Sequence, residues 1–379
     1  MATSKRHGAR SGGRIVGIKK NGKEGLRPAC ERCKVALAKD RIKRRHIDSL
    51  QGWIEYKRMR YRCHECGRTY FPTDKELELG DSRMSLRKES QLSLLSVHMT
   101  YGEAKEVYEE LTGHKTGRMT AHRTVQRWAA KIGDLKNPCL PEAAGKEHVT
   151  GDGVMVPLEE EGWKEAKVGA YYKVDENREA QTIRYTATLG SREEFGQRLY
   201  ELADRPGLEK TAEMAYVSDA AEWLDGIQQM QFPLAERIVD VFHAEEYLWD
   251  VANAFYQKGT GEARKWAESK VEQLRKAEQK GLQKSLAHMK PKNPDQKQAL
   301  KDARRYFKNH GHKMDYPRYI EKGLHIGSGI AEAACKHVIQ SRFKRSGMRW
   351  SRQGAENLLQ LRVAHLNNQW QQVVESQKN

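Results

Sequence analysis

The spacing of apolar residues changes period several times along the chain, and each change predicts a different kind of element. Apolar and polar positions alternate over 53–63 and 68–72, which predicts short strands. Over 84–133 the apolar residues instead recur on one helical face, which predicts helices. Gly113 is the predicted C-cap of one of these helices, and Thr120 is the predicted N-cap of the next.

From residue 146 the pattern becomes that of a mixed α/β domain. Strand-like runs predict strands at 147–158, 164–175, 181–190, 214–220 and 236–243. Helical periodicity follows the last three runs and predicts helices at 191–207, closed by Pro-Gly, at 222–230 and at 244–256. Three strands followed by alternating helices and strands favour a mixed sheet covered by helices, which is the order of a ribonuclease-H-like domain.

Helical sequence rich in Lys, Gln and Ala interrupts this order over 257–320, where two prolines break it. After the interruption, Ser328 is the predicted cap of a helix that carries Glu332 in its first turns. A last amphipathic helix is predicted over 349–370. The interruption therefore separates the late acidic helix from the strands that precede it.

Four of the six cysteines form two CxxC pairs, at Cys30, Cys33, Cys63 and Cys66. Each pair directs two thiolates at one ion, and four thiolates complete the tetrahedral coordination of one structural Zn²⁺. Such an ion holds together a domain too small to bury a core, so a zinc ribbon is expected here. His46 and His64 remain alternative ligands. The pairs also favour a reducing compartment over disulfide bonds.

These segments predict an α/β fold class, with a ribonuclease-H-like catalytic domain that follows a zinc ribbon and a helix-turn-helix-like helical domain. The predicted boundaries are 1–27 for a basic disordered tail, 28–80 for the ribbon, 84–135 for the helical domain, 146–256 for the first part of the catalytic domain, 257–320 for a helical insertion, and 321–379 for the last part.

The net charge of +17 is concentrated in two segments. Residues 1–27 hold eight basic and one acidic residue, and residues 257–320 hold seventeen basic and seven acidic, so their nets of +7 and +10 account for the whole excess. Concentrated positive charge favours a polyanion partner and steeply salt-dependent binding, although a solvated charged surface is the ordinary alternative. We interpret the partner as nucleic acid.

Two other segments offer side chains to DNA. The predicted ribbon strands carry Arg44, Arg45, Arg58 and Arg60. The tyrosines among them, Tyr56, Tyr61 and Tyr70, either stack on bases or, as we favour, form the ribbon core. The helix predicted from Thr120 displays Arg123, Gln126 and Arg127, and it resembles the recognition helix of a helix-turn-helix, with a plain helical linker as the alternative.

Three acidic residues stand in settings that suit metal-dependent phosphoryl transfer. Asp152 and Asp219 lie on predicted strands, and Glu332 lies on the late helix. Two Mg²⁺ or Mn²⁺ ions need converging carboxylates, because hard cations take oxygen ligands. Taken singly, the three also fit a turn residue, a helix cap and a surface partner of Lys336, respectively. Their order along the fold favours a catalytic triad.

Four sequence blocks within 146–366 surround these acids: DGVMVP with WKEAKVG, VSDAAEW, DVFHAEEYLW, and IGSGIAEAACKH with GMRWS. They resemble bacterial insertion-sequence transposases of the Kra type, a DDE group related to Mutator-like elements. The N-terminal ribbon and helices are also similar to that family's arrangement. The resemblance implies a transposase that binds the terminal inverted repeats of its element, cuts DNA and joins the strands to target DNA.

The resemblance also assigns roles to single residues. It implies that Asp152, Asp219 and Glu332 bind two Mg²⁺ ions, and that Asp240 and His243 form the D-x-x-H element between the second Asp and the Glu. The insertion matches in position one in which an aromatic side chain stacks on an unpaired base, and the candidates are Trp249 and Trp266, with core packing as the commoner fate of either.

Further basic residues are expected near the triad. Lys336 follows Glu332 by one turn and either stabilises the pentacoordinate phosphate or holds the DNA backbone. His243 is either a proton shuttle or, as we favour, a structural residue beside Asp240. A stripe expected to grip phosphates continues through Arg342, Lys344, Arg345, Arg349 and Arg352.

A transposase of this kind is expected to act as a homo-oligomer, with a dimer in the synapse. The N-terminus has no apolar signal core and the chain has no apolar run of about 18 residues, so a bacterial cytoplasmic, nucleoid-associated protein is expected, with no membrane partner. Two alternatives remain: a ribonuclease-H-type nuclease or resolvase that cuts without joining, and a non-catalytic zinc-ribbon DNA-binding regulator.

Overall fold

The structure, a computed structural model, is a mixed α/β fold that describes residues 28–80, 82–133, 135, 145–203 and 214–378. The chain divides into two compact units: a small unit of 1–135 with 369–379, and a large unit of 136–368. The predicted basic tail and the predicted Pro-Gly helix end lie outside the described residues. No helix in the described ranges is both long and apolar enough to cross a membrane.

The small unit begins with a three-stranded antiparallel sheet. A long hairpin of β1 (Ala38–Ser49) and β2 (Gly52–Arg62) is extended at one edge by β3 (Thr69–Tyr70). The short helix α1 (Pro72–Glu76) follows the sheet. The first cysteine pair precedes β1, and the second lies between β2 and β3, so the sheet brings the two pairs to one end.

The buried carboxylate of Asp74 links α1 to the hairpin of β1 and β2 by hydrogen bonds. Asp74 accepts hydrogen bonds from the Tyr56 hydroxyl at 2.6 Å and from Arg45 at 2.7 Å, and it also pairs with Arg58. Tyr56 is buried, and Tyr61 and Tyr70 pack against the cysteines. The prediction that these rings form the ribbon core is therefore confirmed.

Three helices complete the small unit: α2 (Leu86–His98), α3 (Tyr101–Thr112) and α4 (Arg118–Ile132). They pack around Leu92 and Tyr108. The chain returns to this unit at its end, where Trp370 stacks on Trp128 with ring centroids 6.0 Å apart. The last predicted helix is thus split, because Asn368 adopts a left-handed conformation (φ 60°) that ends the preceding helix.

The helix ends show which cap predictions hold. Gly113 ends α3 in the left-handed region (φ 69°), as predicted. The predicted N-cap Thr120 is wrong, because Gly117 is extended there and the helix begins at Arg118. The turn before Thr120 is already helical, with the Thr120 N–H bonded to the Gly117 carbonyl.

The large unit is built on one five-stranded sheet in the order β6-β5-β4-β7-β8. The strands are β4 (Lys146–Leu158), β5 (Gly162–Val174), β6 (Ala180–Thr188), β7 (Met214–Ser218) and β8 (Glu236–Val239). The first three form an antiparallel meander, and β7 and β8 run parallel to β4. Three strands followed by alternating helices and strands is the order that the sequence predicted.

Two helices, α5 (Arg192–Ala203) and α6 (Glu222–Gln231), pack on one face of this sheet. Gly169 of β5 permits the close approach of α5, because a Cβ there would lie 2.9 Å from side-chain atoms of both Phe195 and Leu199. On the other face, α7 (Val241–Phe255) packs against Ala215 and Val217 of β7. The helices therefore cover both faces of the sheet.

The predicted insertion is helical throughout most of its length. It contains α8 (Gly261–Arg275), α9 (Gln279–His288), α10 (Pro294–His310) and α11 (Tyr316–Glu321). Leu274, Leu286 and Phe307 join the core formed by α7 and β7. This segment therefore packs on α7 and shares a core with the strand that precedes Asp219.

The chain then enters α12 (Gly329–Ala334), which continues as a π-helical segment, Cys335–Gln340. The short α13 (Ser341–Phe343) and the longer α14 (Arg352–Leu366) follow. A π segment leaves backbone carbonyls out of the regular helical ladder. Buried Arg362 of α14 satisfies two of them by donating Nε–H to the carbonyls of His337 at 3.1 Å and Val338 at 2.9 Å.

One buried histidine ties β4 to the loop before α12. His148 accepts the His325 N–H at Nε2 over 3.0 Å, and its Nδ1 lies 3.0 Å from the Lys146 carbonyl, so Nδ1 carries the proton. Burial lowers the pKa of His148 to about 3. The imidazole is therefore neutral in the folded protein.

We expect this histidine to make folding stability sensitive to acid. Its folded-state pKa lies below the unfolded value of about 6.5, so its contribution is complete above that pH and is lost as pH falls towards about 3. His148→Gln, whose amide oxygen can replace Nε2, should flatten the slope of unfolding free energy between pH 6.5 and 4.5 by up to about 1.4 kcal/mol per pH unit. Denaturant titrations at several pH values measure this slope.

The matched control is the exposed His64, changed to asparagine, which should leave the slope as in the wild type. An unchanged slope in His148→Gln would show that other groups dominate the acid response.

Candidate active site

Asp152 lies on β4, and Asp219 lies just beyond the end of the parallel neighbouring strand β7. The paired register of the two strands ends at Thr150 and Val217, two residues before each acid. Asp219 directly follows the last residue of β7. The carboxylate of one strand therefore stands beside the carboxylate that ends the other.

The pKa of Asp219 reflects its surroundings. Burial raises the pKa of Asp219 and the negative charge of Asp152 raises it further, while the Ala221 N–H, His243 and Arg237 oppose this. One carboxylate oxygen of Asp219 accepts the Ala221 N–H at 3.1 Å. The alternative that Asp219 caps the next helix is wrong, because α6 begins at Glu222 with Ala221 at its N-cap and no side-chain cap.

Glu332 reaches the same region from α12, which packs against β4 and β5. Its side chain is exposed, whereas Cys335, three residues on, is buried and donates its thiol proton to Asp152 Oδ2 at 3.1 Å. Burial raises the pKa of Cys335, with further increases from Asp152 and Glu332. The thiol therefore stands between the first acid of the triad and the turn that carries the third.

The three carboxylates do not form a closed ligand cluster. Within the described ranges, only the four cysteines bring three or more such ligand atoms close enough to hold one ion. Oxygen donors are nevertheless the ligands that a hard divalent cation takes, so the donor chemistry of the three acids fits Mg²⁺ or Mn²⁺. The structure brings the acids into one region and leaves their oxygens apart.

A cleft of about 490 Å³ opens beside Asp219 and reaches α10 of the insertion. His243 and Glu222 line it together with two stacked tyrosines, Tyr247 and Tyr306, whose ring centroids are 4.0 Å apart. Asn309, Arg305, Asp302 and His310 supply polar edges. Sequence reasoning missed these tyrosines, although Tyr247 lies in the DVFHAEEYLW block.

Neither predicted stacking residue lines this cleft. Trp249 is half-buried on α7, and Trp266 packs against the core of the large unit, with its ring 6.4 Å from that of Tyr256. The core-packing alternative is confirmed for Trp266.

The two residues of the D-x-x-H element have different surroundings. Asp240 is fully buried and caps α7, so the strand predicted over 236–243 ends at Val239. The ring of His243 lines the cleft and lies 3.2 Å from a Glu246 carboxylate oxygen. His243 is half-buried and its N–H donates to Asp240 at 3.4 Å, so the structural role favoured for it stays a prediction beside the proton-shuttle alternative.

The basic residues of the C-terminal stripe divide into buried and exposed groups. Arg342 is 1% exposed and lies 5.0 Å from the centre of the Trp350 ring, so the prediction that it grips phosphate is wrong. Arg352 forms a bidentate salt bridge with Glu161. Arg345 is half-buried, and the exposed members are Lys336, Lys344 and Arg349.

The basic residues of the small unit also differ in their exposure and in their ion-pair partners. Arg45 and Arg58 are committed to buried Asp74, and Arg60 pairs with Asp40, so these three hold the hairpin together and do not present free guanidinium groups. Arg44 is exposed beside Glu55. On α4, Arg123 is exposed, Gln126 is half-buried and Arg127 pairs with Glu89 at 2.5 Å.

The four predicted zinc ligands come together as a cysteine cluster of Cys30, Cys33, Cys63 and Cys66, with all sulfur atoms within 4.8 Å of one another. This arrangement can hold a metal ion, and His64 lies outside it as an exposed side chain. The Tyr70 hydroxyl, 3.2 Å from Cys30 Sγ, lowers the pKa of Cys30 to about 6. Thiolate character at Cys30 suits metal binding.

With this geometry, comparison with known proteins places the chain in a family. It belongs to UPF0236, an uncharacterised protein family, whose profile matches residues 18–379. It is 26% identical over 344 residues to the "UPF0236 protein in vanSb 3'region" of Streptococcus gallolyticus, a match that covers 86% of this chain and 74% of that protein.

A second relative is a UPF0236 protein of Caldanaerobacter subterraneus subsp. tengcongensis, 22% identical over 342 residues, covering 86% of this chain and 69% of that protein. Its name joins eleven designations from one strain.

Proposed function

We propose that the chain is a DDE transposase similar to the Kra-type insertion-sequence enzymes, with a ribonuclease-H-like catalytic domain in its large unit. The observation that carries this proposal is the placement of Asp152 on β4 and of Asp219 directly after the neighbouring parallel strand β7, together with the Cys335 contact that brings the helix of Glu332 to Asp152. Three carboxylates from two strands and a late helix are the ligand supply that phosphoryl transfer on DNA requires.

Each side chain around the triad has a definable task in this proposal. Two divalent cations, held by Asp152, Asp219 and Glu332, would supply activation of the attacking oxygen and stabilisation of the leaving oxygen. Exposed Lys336 would neutralise phosphate charge next to Glu332. The cleft at Asp219 would receive the nucleotide beside the scissile phosphate, and its tyrosine rings and polar edges suit a base and a sugar.

The repeated designation of one relative supports a mobile element. We interpret the eleven designations joined in that name as copies of one gene, and repeated copies are what transposition leaves in a genome. This observation does not depend on the geometry of the acids.

The small unit is proposed to recognise the inverted repeats at the element ends. One Zn²⁺ in the cysteine cluster would complete a zinc ribbon, and exposed Arg123 on α4 would reach base edges. Two bound DNA ends call for at least two active sites, so the proposed synapse is a dimer. Because the substrate is chromosomal and target DNA, the proposed location is the bacterial cytoplasm at the nucleoid.

Incubation of the purified chain and Mg²⁺ with DNA that carries the element's ends, followed by sequencing of the products, tests the proposal. We expect cuts at the element boundary and strands joined to target DNA, both dependent on the metal. Cutting without joining would instead support the nuclease or resolvase alternative. Specific binding without metal-dependent cutting would support the regulator.

A further inference from the structure

One buried carboxylate of the large unit contacts the segments of two triad acids. Asp240 stands between the end of β8 and the start of α7, and its side chain is 0% exposed. A buried carboxylate is costly unless hydrogen-bond donors surround it. The donors to the Asp240 carboxylate come from two separate segments of the chain, and the main-chain N–H of Asp240 donates to a third.

The main chain of Asp240 holds the residue before Asp219. Its N–H donates to the Ser218 carbonyl at 2.9 Å, just beyond the ladder between β7 and β8. The backbone that presents Asp219 is therefore fixed relative to Asp240.

The side chain of Asp240 extends this link to the helix of Glu332. One oxygen, Oδ1, accepts the N–H groups of Phe242 at 2.6 Å and His243 at 3.4 Å, which is an ordinary helix cap. The other, Oδ2, accepts the Ser328 N–H at 2.8 Å and also the Ser328 hydroxyl. Oδ2 therefore accepts hydrogen bonds from Ser328, a residue 88 positions away in the sequence.

Ser328 stands at the N-cap position of α12, four residues before Glu332, yet its hydroxyl caps no backbone group of that helix. It is buried and donates to Asp240 instead. Next to the contact between Ser328 and Asp240, the Val241 N–H donates a backbone hydrogen bond to the Ile326 carbonyl at 2.9 Å. The start of α12 is therefore anchored to the start of α7.

We infer that Asp240 is a positioning residue that sets the place of Glu332 relative to Asp219, through Ser328 on one side and Ser218 on the other. The inference rests on the proposed function, since it concerns the spacing of the proposed metal ligands. Loss of a residue that orients a metal ligand without binding the metal typically reduces metal affinity or activity by about 10–100-fold.

The test compares two serine-to-alanine changes in the full chain. Ser328→Ala removes the hydroxyl bound to Asp240, and Ser351→Ala removes a hydroxyl that caps α14 by accepting the Gly354 N–H at 3.2 Å. Mg²⁺ titrations of DNA cleavage give the half-saturating concentration, and hydrogen exchange of peptides spanning 326–334 reports on the anchoring of α12. Asp240→Asn, which replaces an acceptor oxygen with an amide donor, is the stronger second variant.

We expect Ser328→Ala to raise the half-saturating Mg²⁺ concentration about tenfold and to speed exchange across 326–334, with DNA affinity unchanged. Ser351→Ala should change neither quantity. An unchanged Mg²⁺ requirement in Ser328→Ala, or an equal rise in Ser351→Ala, would overturn the inference. If the wild-type chain cuts no DNA, the proposed function fails, and hydrogen exchange alone tests the anchoring of α12. Faster exchange across 326–334 in Ser328→Ala but not in Ser351→Ala supports the anchoring. Exchange in Ser328→Ala at the wild-type rate refutes it.

Discussion

Asp152→Asn should abolish DNA cleavage and strand joining while leaving affinity for element ends nearly unchanged. The substitution preserves size but removes the negative charge that a divalent cation needs, at a cost of several kcal/mol of transition-state stabilisation. That corresponds to a rate loss of about 10³-fold or more, since each 1.36 kcal/mol is tenfold. Asp219→Asn and Glu332→Gln should behave in the same way. Product gels measure rate, and a binding titration measures affinity.

Glu165→Gln is the matched control. Glu165 packs over Gly153, and successive residues of a strand point to opposite faces, so this carboxylate lies on the face away from Asp152. The DNA cleavage rate of Glu165→Gln should stay near that of the wild type. Normal turnover by Asp152→Asn, Asp219→Asn or Glu332→Gln would remove that residue from the triad.

Replacing Cys30 and Cys33 together with serine should release one bound zinc ion per chain and unfold the hairpin of β1 and β2. Around the cysteine cluster the hydrophobic core is small, with Leu37 as its buried apolar residue, so folding there depends on the metal. The apparent binding energy of structural zinc in small domains is about 10–16 kcal/mol, which exceeds what such a core supplies. Elemental analysis and circular dichroism, with and without a chelator, measure the two effects.

Cys335→Ser tests whether any buried cysteine gives the same result. Its thiol lies at Asp152 in the large unit, so zinc content should remain at one ion per chain. Zinc retained undiminished in the double variant, or no zinc in the wild type, would refute the assignment.

The sequence predicted most elements of the large unit because their periodicity is local. The strand-like runs of β4 and β5 and the helical face of α7 reflect burial against a core, and each pattern can be seen within a dozen residues. Gly113 was predictable for a similar reason, since a left-handed residue at a helix end favours glycine.

The same reasoning failed where a distant partner decides the role of a residue. Arg342 belongs to a run of basic residues that predicts a phosphate-binding surface, but the chain folds it against Trp350. Arg45 and Arg58 each follow another basic residue, which is typical of a solvated surface, yet both meet Asp74 from α1. Burial of a charge depends on its partner, and the partner is not visible in the local pattern.

The sequence by itself determined the order of strands and helices, the two cysteine pairs and the acidic residues set on two strands and a late helix. Only the tertiary structure decided that the strand before Asp219 lies beside the strand of Asp152, that Cys335 contacts Asp152, and that Asp240 links Ser218 to Ser328. The physical reason is range: backbone periodicity is a property of neighbouring residues, whereas these contacts join residues 22 to 183 positions apart by strand register and helix packing.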